Sequence, residues 1–128
     1  KSKGVKVNIL QFQVISDTRD LLGSFRRCQG EVGRKFDGGG VPSSGLVAIF
    51  ALKEFCDHVT AYGFGKGSPK NRNKAKYQYY NLHGTERPSG NPTHSFDTEE
   101  LLIEALAENN FIRLCGDTGC IGKASGVQ

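Results

Sequence analysis

Residues 45–55 (G-L-V-A-I-F-A-L-K-E-F) leave a helix almost no polar face, because Leu46, Val47, Ile49, Phe50, Leu52 and Phe55 are relieved only by Lys53 and Glu54. A helix that is apolar on most sides must be surrounded, so the chain has to supply other layers around it. Ser43 or Ser44, just after Pro42, can cap its start, and the helix is expected to run to about Cys56. His58 to Phe64 (H-V-T-A-Y-G-F) is a short β-rich run directly after it. A helix followed at once by a strand predicts an α/β layer with at least one parallel strand.

The other elements are read against that centre. Val5 to Ile15 alternates Val5, Val7 and Ile9 with polar neighbours and predicts a strand. Asp17 to Arg27 has helical character through Leu21, Leu22 and Phe25. Asp37-Gly38-Gly39-Gly40-Val41-Pro42 predicts a flexible turn. Tyr77-Gln78-Tyr79-Tyr80 is extended or a short helix, and Gly84 to Pro92 is a loop. Asp97 to Asn109 predicts a second clear helix, with Asp97 as its cap and Glu99 and Glu100 in its first turn. Phe111 to Cys115 predicts a final strand, and Lys123 to Gln128 a loose end.

At 128 residues the chain fits one domain or part of one. Its 37% hydrophobic and 23% charged residues exclude a disordered chain, while 17 glycines point to many tight turns. No run of about 18 apolar residues exists, and Lys1-Ser2-Lys3-Gly4 starts neither a signal peptide nor an anchor. Either the protein is soluble or its beginning is missing. Cys28, Cys56, Cys115 and Cys120 allow three pairings but form no zinc-type spacing, so no metal ligand set is read. The net charge of +4 comes largely from Lys1, Lys3 and Lys6 and from the run of Lys66, Lys70, Arg72, Lys74 and Lys76. That run is either a solvated loop or an anion contact. No nucleic-acid motif accompanies it, and a nucleic-acid partner is not expected.

Four features bear on chemistry. Gly40-Val41-Pro42-Ser43-Ser44-Gly45 opens into a helix whose free amides and positive dipole end suit an anion, though such a start can equally be a plain cap. Gly63-Phe64-Gly65-Lys66-Gly67 follows a strand but leads into a polar loop, which excludes a dinucleotide fingerprint; the glycines still permit close approach of a ligand. His94 precedes a helix start, where the dipole favours the neutral imidazole a general base needs, with Asp97 and Glu99 acting in the opposite sense. A loop histidine without a role fits the same pattern. Tyr77, Tyr79 and Tyr80 around Gln78 suit a phosphate or sugar, or a half-buried strand.

Taken in order, these pieces resemble the animal-type sialyltransferases. Residues 42–65, from Pro42-Ser43-Ser44-Gly45 through Cys56-Asp57-His58-Val59 to Tyr62-Gly63-Phe64-Gly65, look like the small sialylmotif. Gln78-Tyr79-Tyr80-Asn81 (78–81) stands where the third motif belongs, and His94-Ser95-Phe96-Asp97-Thr98-Glu99 (94–99) resembles the very small motif, H-x4-E. The resemblance covers roughly Pro42 to Cys115 and, more loosely, the helix before it.

What the resemblance implies is a glycosyltransferase A-like α/β fold, a mostly parallel sheet flanked by helices, of which residues 1–128 would be the carboxyl-terminal part. It implies inverting, metal-independent transfer of sialic acid from CMP-sialic acid to a glycan acceptor, with no cofactor beyond the donor. His94 would be the catalytic base. Ser43, Ser44, Gly45, Gly63, Gly65, Gln78 and Tyr79 would line the nucleotide site. It also implies a luminal Golgi enzyme whose anchor and amino-terminal half lie outside this sequence, and a bridge from Cys56 to that half. The chain alone would then be inactive.

Three departures stand out. Gln78 occupies the place of a phosphate-contacting histidine, and an amide donates a hydrogen bond but cannot act as an acid. Nothing before Gly40 resembles the family's long motif. Val41 stands where some members carry an aromatic residue, so linkage preference is not readable. Transfer of another CMP-linked acidic sugar, and a non-catalytic glycan- or nucleotide-binding homologue, are the rival readings. Asn91-Pro92-Thr93 is no glycosylation acceptor, because proline occupies its middle position.

Overall fold

The computed structural model describes residues 4, 11–64 and 90–123. In chain order these form α1 (Phe12–Glu31), α2 (Ser44–Phe55), β1 (Thr60–Tyr62), α3 (Phe96–Glu108), β2 (Arg113–Gly116) and β3 (Gly119–Ile121). The expected strand at Val5 to Ile15 is corrected at its end: Phe12 to Ile15 are the first turn of α1, and residues 5–10 lie outside the described residues. The reason is tertiary. Thr18 and Leu22, four apart, turn one face of α1 into the core, and extending the helix back from them costs less than a new strand. The Thr18 hydroxyl is satisfied in place by the Val14 carbonyl at 2.6 Å.

Both long helices end in the same way. Gly33, at φ +86, lets its own amide reach the Gly30 carbonyl and the Arg34 amide reach that of Gln29. At the end of α3 Asn110, at φ 59, does the same with Ala107 while Phe111 bonds to Leu106. Asparagine tolerates the left-handed conformation that other side chains avoid, which explains Asn109-Asn110 after the last apolar position.

The sheet has the order β1-β2-β3. β1 runs parallel to β2, with Ala61 opposite Leu114, and β2 runs antiparallel to β3, with Cys115 opposite Cys120. The expected parallel pair is present; among the described residues the sheet is mixed, with one parallel and one antiparallel pair. β3 has no apolar alternation of its own; it forms because Asp117 and Thr118 turn the chain back and a Cys115–Cys120 disulfide closes the hairpin. Lys123 is not loose, since its amide bonds to Asn110 Oδ1.

α1 packs on α2 and α3, and α3 packs on β2. Their shared core is Leu22, Leu46, Ile49, Val59, Ala61, Leu102, Ile103, Ala107, Ile112 and Leu114. Each large member contributes about 1.5–3 kcal/mol by leaving water. Only the first half of α2 meets the expectation of burial: Leu46, Val47 and Ile49 are covered, whereas Leu52 and Phe55 are exposed. Among the described residues no helix is long and apolar enough to cross a membrane.

Candidate active site around His94 and the start of helix α2

The start of α2 is built by residues from three parts of the chain. Ser43 is its N-cap, and the Ser43 hydroxyl accepts from the Leu46 amide at 3.3 Å. The same hydroxyl donates to Glu99 Oε2 at 2.5 Å, and the Ser43 amide donates to Glu99 Oε1 at 2.8 Å. Glu99, on the first turn of α3, is buried, and the oxygens of a buried carboxyl group need partners of this kind. The last residue of the H-x4-E spacing therefore locks the first residue of the P-S-S-G helix. Behind it, the Phe64 ring that follows β1 lies against Gly45: a Cβ there would meet Phe64 at 3.0 Å. Gly63, at φ +76, makes the turn that brings the ring in.

His94 is carried by a backbone seam rather than by a regular element. The Gly39 amide donates to the Asn91 carbonyl at 2.9 Å, and the Val41 amide to the Thr93 carbonyl at 3.0 Å. Asn91 closes the other side: its Oδ1 accepts from the Thr93 and His94 amides at 2.9 and 2.7 Å, and its own amide donates to the His94 carbonyl at 2.8 Å. The expected flexible turn at Asp37 to Pro42 is thus corrected. A Cβ on Gly38 would lie 2.2 Å from the His94 carbonyl oxygen, and one on Gly39 would lie 2.4 Å from those of Pro92 and Thr93. These glycines permit close backbone approach; of the three in a row, Gly40 alone has open space.

The seam aims the imidazole. His94 Nδ1 lies 2.8 Å from the Val41 carbonyl oxygen, and the ring stands 5.8 Å from that of Phe96. A carbonyl can only accept, so the bond requires a proton on Nδ1; in the neutral ring the lone pair is then on Nε2. The helix after it also differs from expectation at its start. Ser95, not Asp97, is the N-cap residue of α3, and its hydroxyl is engaged with that of Thr98 at 2.7 Å rather than with a backbone amide. Asp97 sits in the first turn.

Of the candidate site residues, the structure joins Ser43 to the very small motif and Gly45 to the end of β1. Gly65, Gln78 and Tyr79 lie outside the described residues, as do Tyr77, Tyr80, His83 and the basic run. The profile of glycosyltransferase family 29 (sialyltransferase) matches residues 1–111. The chain belongs to this sialyltransferase family. The match takes in α1 and the seam as well as the motifs, so the family region begins well before Pro42, while the β2–β3 hairpin lies beyond it. No curated protein and no solved structure matches the chain. Membership makes this a glycosyltransferase domain, a class that transfers a sugar from a nucleotide-sugar donor to a glycan acceptor with release of the nucleotide, and the small mixed α/β architecture is compatible with that.

Proposed function

We propose that the chain transfers sialic acid from CMP-sialic acid to a terminal sugar hydroxyl of a glycoprotein or glycolipid, with inversion and without a metal, His94 being the base. The 2.8 Å contact from His94 Nδ1 to the Val41 carbonyl carries this reading. It leaves Nε2 as the basic atom. In the reaction Nε2 takes the proton of the acceptor hydroxyl, the oxygen forms its bond to the anomeric carbon, and the bond from that carbon to the phosphate oxygen breaks. CMP leaves with the electron pair.

The Ser44 and Gly45 amides at the start of α2 are the donors assigned to the departing phosphate, supported by the helix dipole. Ser43 acts one step back, because its amide and hydroxyl are already held by Glu99. Gly63, with Gly65, lets the backbone approach the nucleotide; Gln78 and Tyr79 complete the donor site in this reading. The enzyme would work on the luminal side of the Golgi membrane, with exposed Cys56 bridged to the amino-terminal part of the catalytic domain that packs on this one.

The test is transfer from CMP-sialic acid to galactose- and N-acetylgalactosamine-terminated acceptors by the luminal catalytic domain, wild type beside His94→Ala. A loss of about 100-fold or more in kcat is expected, the scale of a general base. Retained transfer in His94→Ala would remove the base assignment. CMP binding without transfer by the wild type would leave a binding homologue.

A further inference from the structure

The seam that aims His94 is backbone against backbone, and a side chain from α1 holds its far side. Arg26 Nη2 donates to the Phe36 carbonyl at 2.6 Å, while Nη1 donates to the Gly38 and Gly39 carbonyls at 2.9 and 3.1 Å. Three converging carbonyls in an irregular segment need partners, and a planar guanidinium can serve all three from one side chain. Arg26 is itself firmly placed: Leu22, one turn earlier, is fully buried, and Phe25 packs against the same core.

The chain of contacts then runs without a gap. Arg26 fixes residues 36–39; Gly39 bonds to Asn91 and Val41 to Thr93; the Val41 carbonyl receives His94 Nδ1. No step in it is a flexible side chain except the two at its ends. We infer that Arg26 is a positioning residue for His94, holding the 36–39 segment so that the Val41 carbonyl keeps the imidazole proton on Nδ1. The inference rests on the reading of His94 as the base, but the tautomer it concerns is measured without turnover.

A histidine ring free in water prefers its proton on Nε2, so losing the Val41 contact has a spectroscopic sign. The experiment is ring-nitrogen NMR of the histidine-labelled chain at about pH 8.5, where an ordinary histidine is neutral. The His94 signals are assigned by their loss in His94→Gln. Wild type is expected to give the Nδ1–H pattern. In Arg26→Ala the Nε2–H form is expected to rise from a minor species to at least equal population. Arg26→Lys, which keeps the charge and the aliphatic stem but not the fork, should fall between the two. Gly39→Ala, which pushes the seam apart from its other side, should move the ring in the same direction as Arg26→Ala.

An unchanged His94 pattern in folded Arg26→Ala overturns the inference, as does an Nε2–H pattern in the wild type. Should Arg26→Ala not fold, Arg26→Lys decides: a pattern superimposable on wild type overturns it, and a shift toward Nε2–H supports it. The two readings fail separately. Retained transfer in His94→Ala removes the base and leaves the coupling to Arg26, whereas an unchanged ring removes the coupling and leaves the base.

Discussion

Glu99 accepts both the amide and the hydroxyl proton of Ser43, a residue 56 positions earlier in the chain. One carboxylate thereby ties the amino termini of α2 and α3 together at the place where the candidate donor site begins. Glu99→Ala would strand two donors in a half-buried setting, and the expected loss is about 2–4 kcal/mol. Glu99→Gln keeps one acceptor and the shape and should cost about 1 kcal/mol. Urea unfolding of the two variants measures the difference; equal stabilities would mean that the bond does not carry the junction.

The row of three glycines gives a sharper contrast. Gly38→Ala places a methyl 2.2 Å from the His94 carbonyl oxygen at a residue with φ +93, so both sterics and backbone conformation oppose it. A destabilisation of roughly 3 kcal/mol or more is expected, together with loss of transfer. Gly40→Ala meets nothing within 4 Å. Its stability should stay within about 0.5 kcal/mol of wild type or rise slightly, because alanine restricts the unfolded chain. Equal effects at the two positions would contradict the seam.

That contrast also marks how far the sequence could be read. The cap at Ser43, the α2 helix, the strand after it, the parallel pairing and α3 follow from local periodicity and capping, and the structure has all of them. The three glycines look alike as letters, and only the approach of residues 90–95 separates Gly38 and Gly39 from Gly40. Glu99 was legible as a first-turn acid and as the end of H-x4-E, but its partner across the chain was not. Arg26 and Asn91 carried no local signal at all, since an arginine on an exposed-looking helix and an asparagine before proline are ordinary. The expected strand ran too far only at its end, where Phe12 to Ile15 belong to α1, which Thr18 and Leu22 fix further along.

The Cys115–Cys120 bridge gives a third expectation. It closes a sequence separation of five residues, a loop short enough that the chain-entropy contribution is only about 2 kcal/mol. Cys120→Ser should cost that amount in unfolding measurements, and reduction should cost the wild type the same amount. Cys28 and Cys56 are exposed and free of that bridge, so alkylation of the folded, unreduced chain should label two cysteines and leave the 115–120 peptide cross-linked. Labelling at Cys115 would count against the pairing.

Asn91 offers the last test, and it separates position from fold. Its Oδ1 accepts from two amides, one of them that of His94, at an exposed site where water can replace much of what is lost. Asn91→Ala should therefore lower stability by only about 1 kcal/mol, the net worth of exposed hydrogen bonds. In the proposed mechanism the rate should suffer more, because His94 displaced by a fraction of an ångström would lose its reach to the acceptor proton: kcat is expected to fall about tenfold, or about 1.4 kcal/mol in the barrier, with little change in the donor KM. Asn91→Asp keeps both acceptor bonds and should retain kcat within roughly threefold. Steady-state kinetics beside thermal unfolding decides it. A kcat that follows stability, or an aspartate variant as slow as the alanine one, would mean that the side-chain amide acts in some way other than by holding the His94 backbone.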